Sequence, residues 1–225
     1  MGSMFNLLNV IDLGPDASED EADRLVALLD REMTALPGIV SAKAGKTLPD
    51  ALYGGHLISR IAFACEDAWR ACEASSQWQS RILPALAASK GIFVDSAAYH
   101  STHSCLSAGP RTDGIWRCLM FAADTHSPAE SLRQFERDML LMPGHVSTIR
   151  NWSLGHVVWT SGRRRWTHVW EQEFDNMGGL TGEYMTNPIH WGLIDGWYDP
   201  ESPTRIIDIV CIVHAALAID EAIIG

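Results

Sequence analysis

No stretch of this chain reaches the roughly 18–20 apolar residues a membrane-spanning helix needs, and no signal peptide is expected. Met1-Gly2-Ser3-Met4 reads as an added leader before a natural start. Basic residues are scarce: 17 Lys and Arg stand against 28 Asp and Glu, a net charge of -11, which speaks against a nucleic-acid partner. The one basic run, Arg163-Arg164-Arg165, follows Gly162 and reads as a solvated turn. Cysteine is sparse too. Five are present, an odd number, widely spaced and without a C-x-x-C pair; three fall within expected strands or helix faces, as small buried thiols do, which favours a reducing, cytoplasmic setting. A Gly-rich phosphate loop, a G-x-S-x-G elbow and a dinucleotide fingerprint are all missing, so no organic cofactor is expected. The His100-Ser101-Thr102-His103 run with Cys105 lacks a fourth ligand and sits in an expected linker, so no metal is expected either.

What the chain does have is a repeat of about a hundred residues, too long for a solenoid unit of roughly 20–50. Each half reads as strand, capped helix, Pro-Gly turn, two strands, a broken helix pair and a last β-branched strand. Ser18-Glu19-Asp20-Glu21 and Ser127-Pro128-Ala129-Glu130 open the helices as capping boxes. Pro37-Gly38 and Pro143-Gly144 close them. The spacing predicts strands near 4–11, 39–46, 55–64 and 91–99, with helices at 19–35, 66–75 and 78–88. The second copy predicts strands at 115–123, 145–155, 164–174 and 205–214, with helices at 128–141, 176–186 and 188–197. The last of these strands, Ile206 to Val213, is nearly continuous apolar, as in a strand buried on both faces. The expected organisation is a first repeat over 4–100, a linker over 101–114 and a second repeat over 115–217. The order β-α-β-β-α-β makes each half ferredoxin-like and the class α+β. The bare faces of the two antiparallel sheets would pack face to face, with helices outside.

Nine tryptophans are the compositional outlier, and six of them follow residue 150. They either fill a core or line a pocket for a flat ligand. Alternation along Trp166-Thr167-His168-Val169-Trp170-Glu171-Gln172-Glu173-Phe174 puts Trp166, His168, Trp170, Gln172 and Phe174 on one face. Farther on, Asn187-Pro188 reads as a helix start, placing His190 in its first turn. There the helix dipole disfavours an imidazolium and leaves a base near neutral pH. Tyr184 ends the preceding helix and is placed to face the same spot. A core histidine at 168 and a capped helix break at 187–190 are the plainer alternatives.

These stretches resemble tandem stress-responsive A/B barrel (Dabb) domains. Thr167-His168-Val169 fits the family's strand motif, and Tyr184-Met185-Thr186-Asn187-Pro188-Ile189-His190 its helix-break motif. Asn187 stands where the family commonly has another histidine. The resemblance, through a plant polyketide cyclase, implies acid/base and orienting roles for His168, His190 and Tyr184. A further histidine of that cyclase aligns near Arg117 or Cys118, so that part of its site is not retained. The first copy departs more, with Leu57, Cys72 and Trp78 at the matching positions, although Tyr53, His56 and Trp78 could wall a second pocket.

The expected function is therefore a cofactor-independent enzyme on a small aromatic or phenolic molecule, cleaving a carbon–carbon bond in an aldol sense and releasing a small aldehyde. His168, His190 and Tyr184 carry the chemistry, while Trp166, Trp170, Gln172, Trp191, Trp197 and Arg117 bind the ring. The resemblance covers both a cyclase and a hydroxynitrile lyase, so an aldol cyclase is the alternative within enzymes. A non-catalytic stress or assembly protein and an aromatic-ligand carrier are the alternatives outside them. Dabb domains pair, and the fusion can supply that pair internally, which leaves a monomer and a homodimer of fused chains both open.

Overall fold

The computed structural model describes residues 4–49, 54–87, 93–107 and 113–225. In chain order, β1 (Phe5–Asp12), α1 (Glu19–Thr34), β2 (Ile39–Lys46), β3 (Leu57–Phe63) and α2 (Glu66–Glu73) lead into a wide helical turn at Trp78–Ile82. This runs on as α3 (Leu83–Ala87), and β4 (Phe93–Cys105) completes the first copy. The second copy repeats the order with β5 (Gly114–Ala123), α4 (Ala129–Met139), the short α5 (Met142–His145), β6 (Ile149–Ser161) and β7 (His168–Phe174). Helical turns at Gly179–Tyr184 and His190–Trp197 then precede β8 (Ile207–Ile219).

Local chemistry accounts for the first helix. Ser18 Oγ accepts from the Glu21 amide at 3.2 Å, and Glu19, Asp20 and Glu21 complement the positive helix end. The second expected capping box does not form. Pro128 takes the cap position with no side-chain bond, and Glu130 instead pairs with Arg133 and Arg137 along the helix. Pro37-Gly38 makes the expected turn, with Gly38 at φ 74. Pro143-Gly144 lies within α5, because the chain turns helically there before β6. Residues 101–105 of the expected linker continue β4, whereas 108–112 lie outside the described residues.

All strand pairs are antiparallel, in the order β2-β3-β1-β4-β6-β7-β5-β8. The two ferredoxin-like half-sheets are thus one continuous sheet, joined where β4 pairs with β6. Curling brings the halves face to face and its ends together, since the Leu48 amide donates to the Ala216 carbonyl at 2.8 Å. β8 departs from expectation, being an edge strand whose Asp208, Ile209 and Val210 are exposed rather than buried on both faces.

Alternation then makes three cores. Between the half-sheets lie Leu8, Val10, Ile58, Tyr99, Trp116, Met120 and Val169. Outside the first half, Phe5, Leu7, Ile61 and Phe63 pack on Leu29, Met33, Trp69 and Trp78 from the helices. Outside the second half, Leu119, Phe121, Trp170 and Phe174 pack on Phe135, Met139, Tyr184 and Trp197.

Within the inner core sits a charged cluster. Glu171 accepts from Arg60 Nε at 2.6 Å, from Trp116 Nε1 at 3.1 Å and from the Tyr99 hydroxyl. Arg60 also donates to Asn6 Oδ1 and to the Ile223 carbonyl. The neighbouring Glu173 accepts from the amides of Ile223 and Ile224, which draws the C-terminal segment against the barrel. Tyr99 fits because Gly155 stands against it, where any Cβ would overlap the ring. Removing one partner of such a pair strands the other charge without water. Arg60→Met is therefore expected to lower unfolding stability by about 3–5 kcal/mol in urea titration at neutral pH. A loss under about 1 kcal/mol would show that the pair does not tie the halves together.

Candidate functional site

The second copy has a cavity of about 270 Å³ between its outer sheet face and its helical turns. β5 supplies Arg117 and Leu119, β8 supplies Ile212 and His214, α4 supplies Met139, and the helical turns supply Tyr184, His190 and Tyr198. The wall is mostly apolar, with polar groups converging from four elements, the usual make-up of a ligand pocket.

Arg117 is 5% exposed, and among the described residues no carboxylate lies within ion-pair distance of it. Its neighbours are neutral groups. Nη1 donates to Gln172 Oε1 at 2.5 Å and to the Tyr184 hydroxyl at 3.2 Å, while Nε donates to His214 Nε2 at 2.6 Å. Nη2 has no hydrogen-bond partner among the described residues. The bond from Arg117 requires a lone pair on His214 Nε2, so His214 is neutral with its proton on Nδ1. Burial, reinforced by the charge of Arg117, pushes His214 down to about 3. The Tyr198 hydroxyl, also buried, has no hydrogen-bond partner among the described residues, and burial raises its pKa.

His190 sits where the sequence predicts. The Asn187 side chain caps the turn by accepting from the Ile189 amide at 2.9 Å, and the Asn187 carbonyl takes the His190 amide. Its pKa is lowered chiefly by burial; Arg117 lowers it further, and Asp195 works the other way. Burial thus disfavours the imidazolium here. Nδ1 lies 3.5 Å from Asp195 Oδ1, and the ring meets Tyr184 edge-on at 4.8 Å between centroids. A proton held on Nδ1 toward Asp195 leaves the Nε2 lone pair available as a base.

The fold therefore brings together His190, Tyr184 and Arg117, with Gln172 behind Arg117. His168 does not line this cavity. It stacks on Phe121 at 5.1 Å and faces Glu136, 3.3 Å from Nε2, while His156 Nε2 approaches the same carboxylate oxygen at 2.7 Å. These contacts, that from His168 foremost, hold Glu136 down to about 2.

The tryptophans also lie elsewhere. Trp166 precedes β7 and packs in the inner core, so the alternation read through it does not extend back from His168. Trp170 packs on Trp152 at 5.6 Å, Trp197 donates to Asp138 at 2.9 Å, and Trp191 is 62% exposed. Core filling describes them, apart from Trp191. Sequence reasoning missed His214, Tyr198 and Asp195. A histidine inside an otherwise apolar final strand was the available signal for the first.

Beyond Met185 and His214 the cavity meets a hollow of about 490 Å³, to which the first copy contributes Leu48 and Pro49. A shallower hollow of about 710 Å³ lies over the β2–β8 seam beside His56. Lys46 on its wall is already paired with Glu19 and Asp23, and Lys43 lines the same hollow. Trp78 is buried in the first outer core, and Tyr53 lies outside the described residues. No helix among the described residues is long and apolar enough to cross a membrane.

Residues 115–211 match the sequence profile of the stress responsive A/B barrel domain. No curated protein matches the chain in sequence. Among solved structures, an anthrone oxidase-like protein superposes with a TM-score of 0.72 at 10% identity, over 97% of this chain and 92% of its own. A candidate monooxygenase from Fusobacterium nucleatum gives 0.63 at 12% identity, over 99% and 95%. One from Lactobacillus acidophilus gives 0.59 at 8% identity, over 97% and 100%. At these identities the likeness is one of fold.

A buried neutral imidazole costs stability wherever the unfolded chain would protonate it. His214 has an ordinary value of about 6.5 when unfolded and about 3 when folded, so stability holds above pH 6.5 and falls as pH drops toward 3. The expected slope is up to about 1.4 kcal/mol per pH unit. His214→Gln is expected to flatten it in urea unfolding measured from pH 7 to 4.5. Equal slopes in both proteins would refute a buried neutral His214.

Proposed function

Because residues 115–211 are a stress-responsive A/B barrel domain, we propose that the Arg117 cavity is an acid/base active site for a small aromatic or phenolic molecule bearing a carbonyl. The observation that carries this reading is the buried Arg117 guanidinium, held by neutral groups and, among the described residues, without a carboxylate in ion-pair distance. A cation kept in a dry site without a counter-ion is suited to an oxyanion that arrives with, or forms on, the substrate. About 270 Å³ suits a compact molecule of one or two rings, near the lower end of the roughly 300–1,000 Å³ of ligand pockets.

The favoured reaction is aldol-type carbon–carbon cleavage. His190 Nε2 takes the proton of a β-hydroxyl, the bond between the α-carbon and the carbinol carbon breaks, and a small aldehyde leaves. The electron pair moves onto the carbonyl oxygen as an enolate, which Arg117 and the Tyr184 hydroxyl stabilise. His190 then returns its proton to the α-carbon. Tyr184 is set for this role because its oxygen accepts from Arg117, leaving its own hydrogen for the substrate. The same groups run in reverse would join an enolate to a carbonyl, as in an aldol cyclase. His168 has no part in this step, because its ring is engaged with Phe121 and Glu136.

The test is a panel of aromatic β-hydroxy ketones and polyketide-like acids, with product analysis of every binder. Release of an aldehyde supports cleavage, and a new ring supports cyclisation. Consumption of O₂ would instead move the reading toward the oxidative chemistry named for the similar structures. Binding without turnover would make the chain a carrier. With a turned-over substrate, His190→Ala is expected to lower kcat by about 10²–10⁴-fold, and Arg117→Gln to lower kcat/KM by about 10²–10³-fold. Because the pKa of His190 is lowered, the acid limb of kcat/KM is expected below pH 6.5. Full activity in both variants would end the assignment.

A further inference from the structure

We propose that Glu136, His156 and His168 form a binding site for one divalent first-row transition ion, of the Zn²⁺ or Fe²⁺ type, separate from the Arg117 cavity. His156 on β6 and His168 on β7 are direct cross-strand partners, so both rings project from the same sheet face. Glu136 on α4 lies over them. One ligand atom from each falls within 4.8 Å of the other two. Both Nε2 atoms converge on a single carboxylate oxygen, Glu136 Oε1, at 2.7 and 3.3 Å. Donor atoms about 2.0–2.1 Å from an ion are separated by about 2.9–3.4 Å along a tetrahedral or octahedral edge. The two observed nitrogen–oxygen separations are close to that edge, so small side-chain rotations would admit an ion.

The donor set is chemically apt. Two imidazoles and one carboxylate recur as catalytic zinc sites and as non-haem iron sites, both with positions left open. Here the open side is toward solvent, since the His156 side chain is 48% exposed while that of His168 is 8% exposed. The supporting shell is also present. Thr167 Oγ1 lies 2.8 Å from His168 Nδ1, receives the Ala123 amide at 2.8 Å and reaches the Phe121 carbonyl at 3.3 Å. With the Thr167 hydrogen on that carbonyl, His168 donates through Nδ1 and directs its Nε2 lone pair at the site, as ligating histidines do. Phe121, stacked parallel to His168 at 5.1 Å, fixes the ring plane. All three ligands stand on regular elements, which favours a defined geometry.

The alternative is that Glu136 merely docks α4 through two histidines. Titration of the metal-free, untagged full chain with Co²⁺, followed by calorimetry and by visible absorption, separates the two. The expected result is one Co²⁺ per chain, with a nitrogen/oxygen-ligand spectrum that Zn²⁺ displaces. His156→Ala, at a half-exposed position the fold can spare, is expected to weaken binding by more than about 10-fold, the least that losing even an outer-shell partner costs. Glu136→Gln is expected to weaken it similarly, whereas His190→Ala leaves it unchanged. No binding by the wild-type chain would overturn the proposal, as would equal affinity in His156→Ala.

Discussion

Glu171 is wholly buried between two halves of one sheet, and its carboxylate is satisfied by groups from three other strands. Arg60 comes from β3, Tyr99 from β4 and Trp116 from β5. A charge removed from water in this way is tolerable only when every partner is in place. The cluster is thus compatible with a single closure of the sheet, the one in which β3 and β7 face each other across the barrel. Glu173, one alternation further, binds the amides of Ile223 and Ile224 and ties the chain end to the same closure.

Closure leaves two outer faces, and the copies have used them differently. The first copy seals its face with Phe5, Trp69, Trp78 and Met33, and even Trp159 from β6 packs there against Trp69. The second copy keeps a polar seam within its apolar face: Gln172, Tyr184 and His214 each accept from the Arg117 guanidinium. That seam is costly to bury, because a guanidinium is taken out of water with only neutral groups around it.

Much of this was legible in the sequence. The period-two and period-3.6 patterns located the strands and the long helices, although β4 and β6 run on well past their expected ends, and Asn187-Pro188 placed His190 at its turn. Arg117, Tyr184, Gln172 and His190 were all singled out, and they do meet. The errors have separate causes. Alternation was carried through Trp166 although β7 begins only at His168, so a pocket of tryptophans was inferred where the rings belong to separate cores. The second capping box failed because Pro128 took the cap position, a competition that residue spacing does not reveal.

The sequence by itself determined most of the elements and their periodicity, because these follow from interactions among residues a few positions apart. Tertiary structure alone decided which polar side chains share a space. His214 reaches Arg117 across 97 positions of chain, and Glu136 reaches His156 and His168 across 20 and 32. Whether two side chains on the same sheet face also face the same helix depends on strand order and on how far the sheet curls. Those are set by burial of the whole chain against itself, the closure around Glu171 included, and no local pattern encodes them.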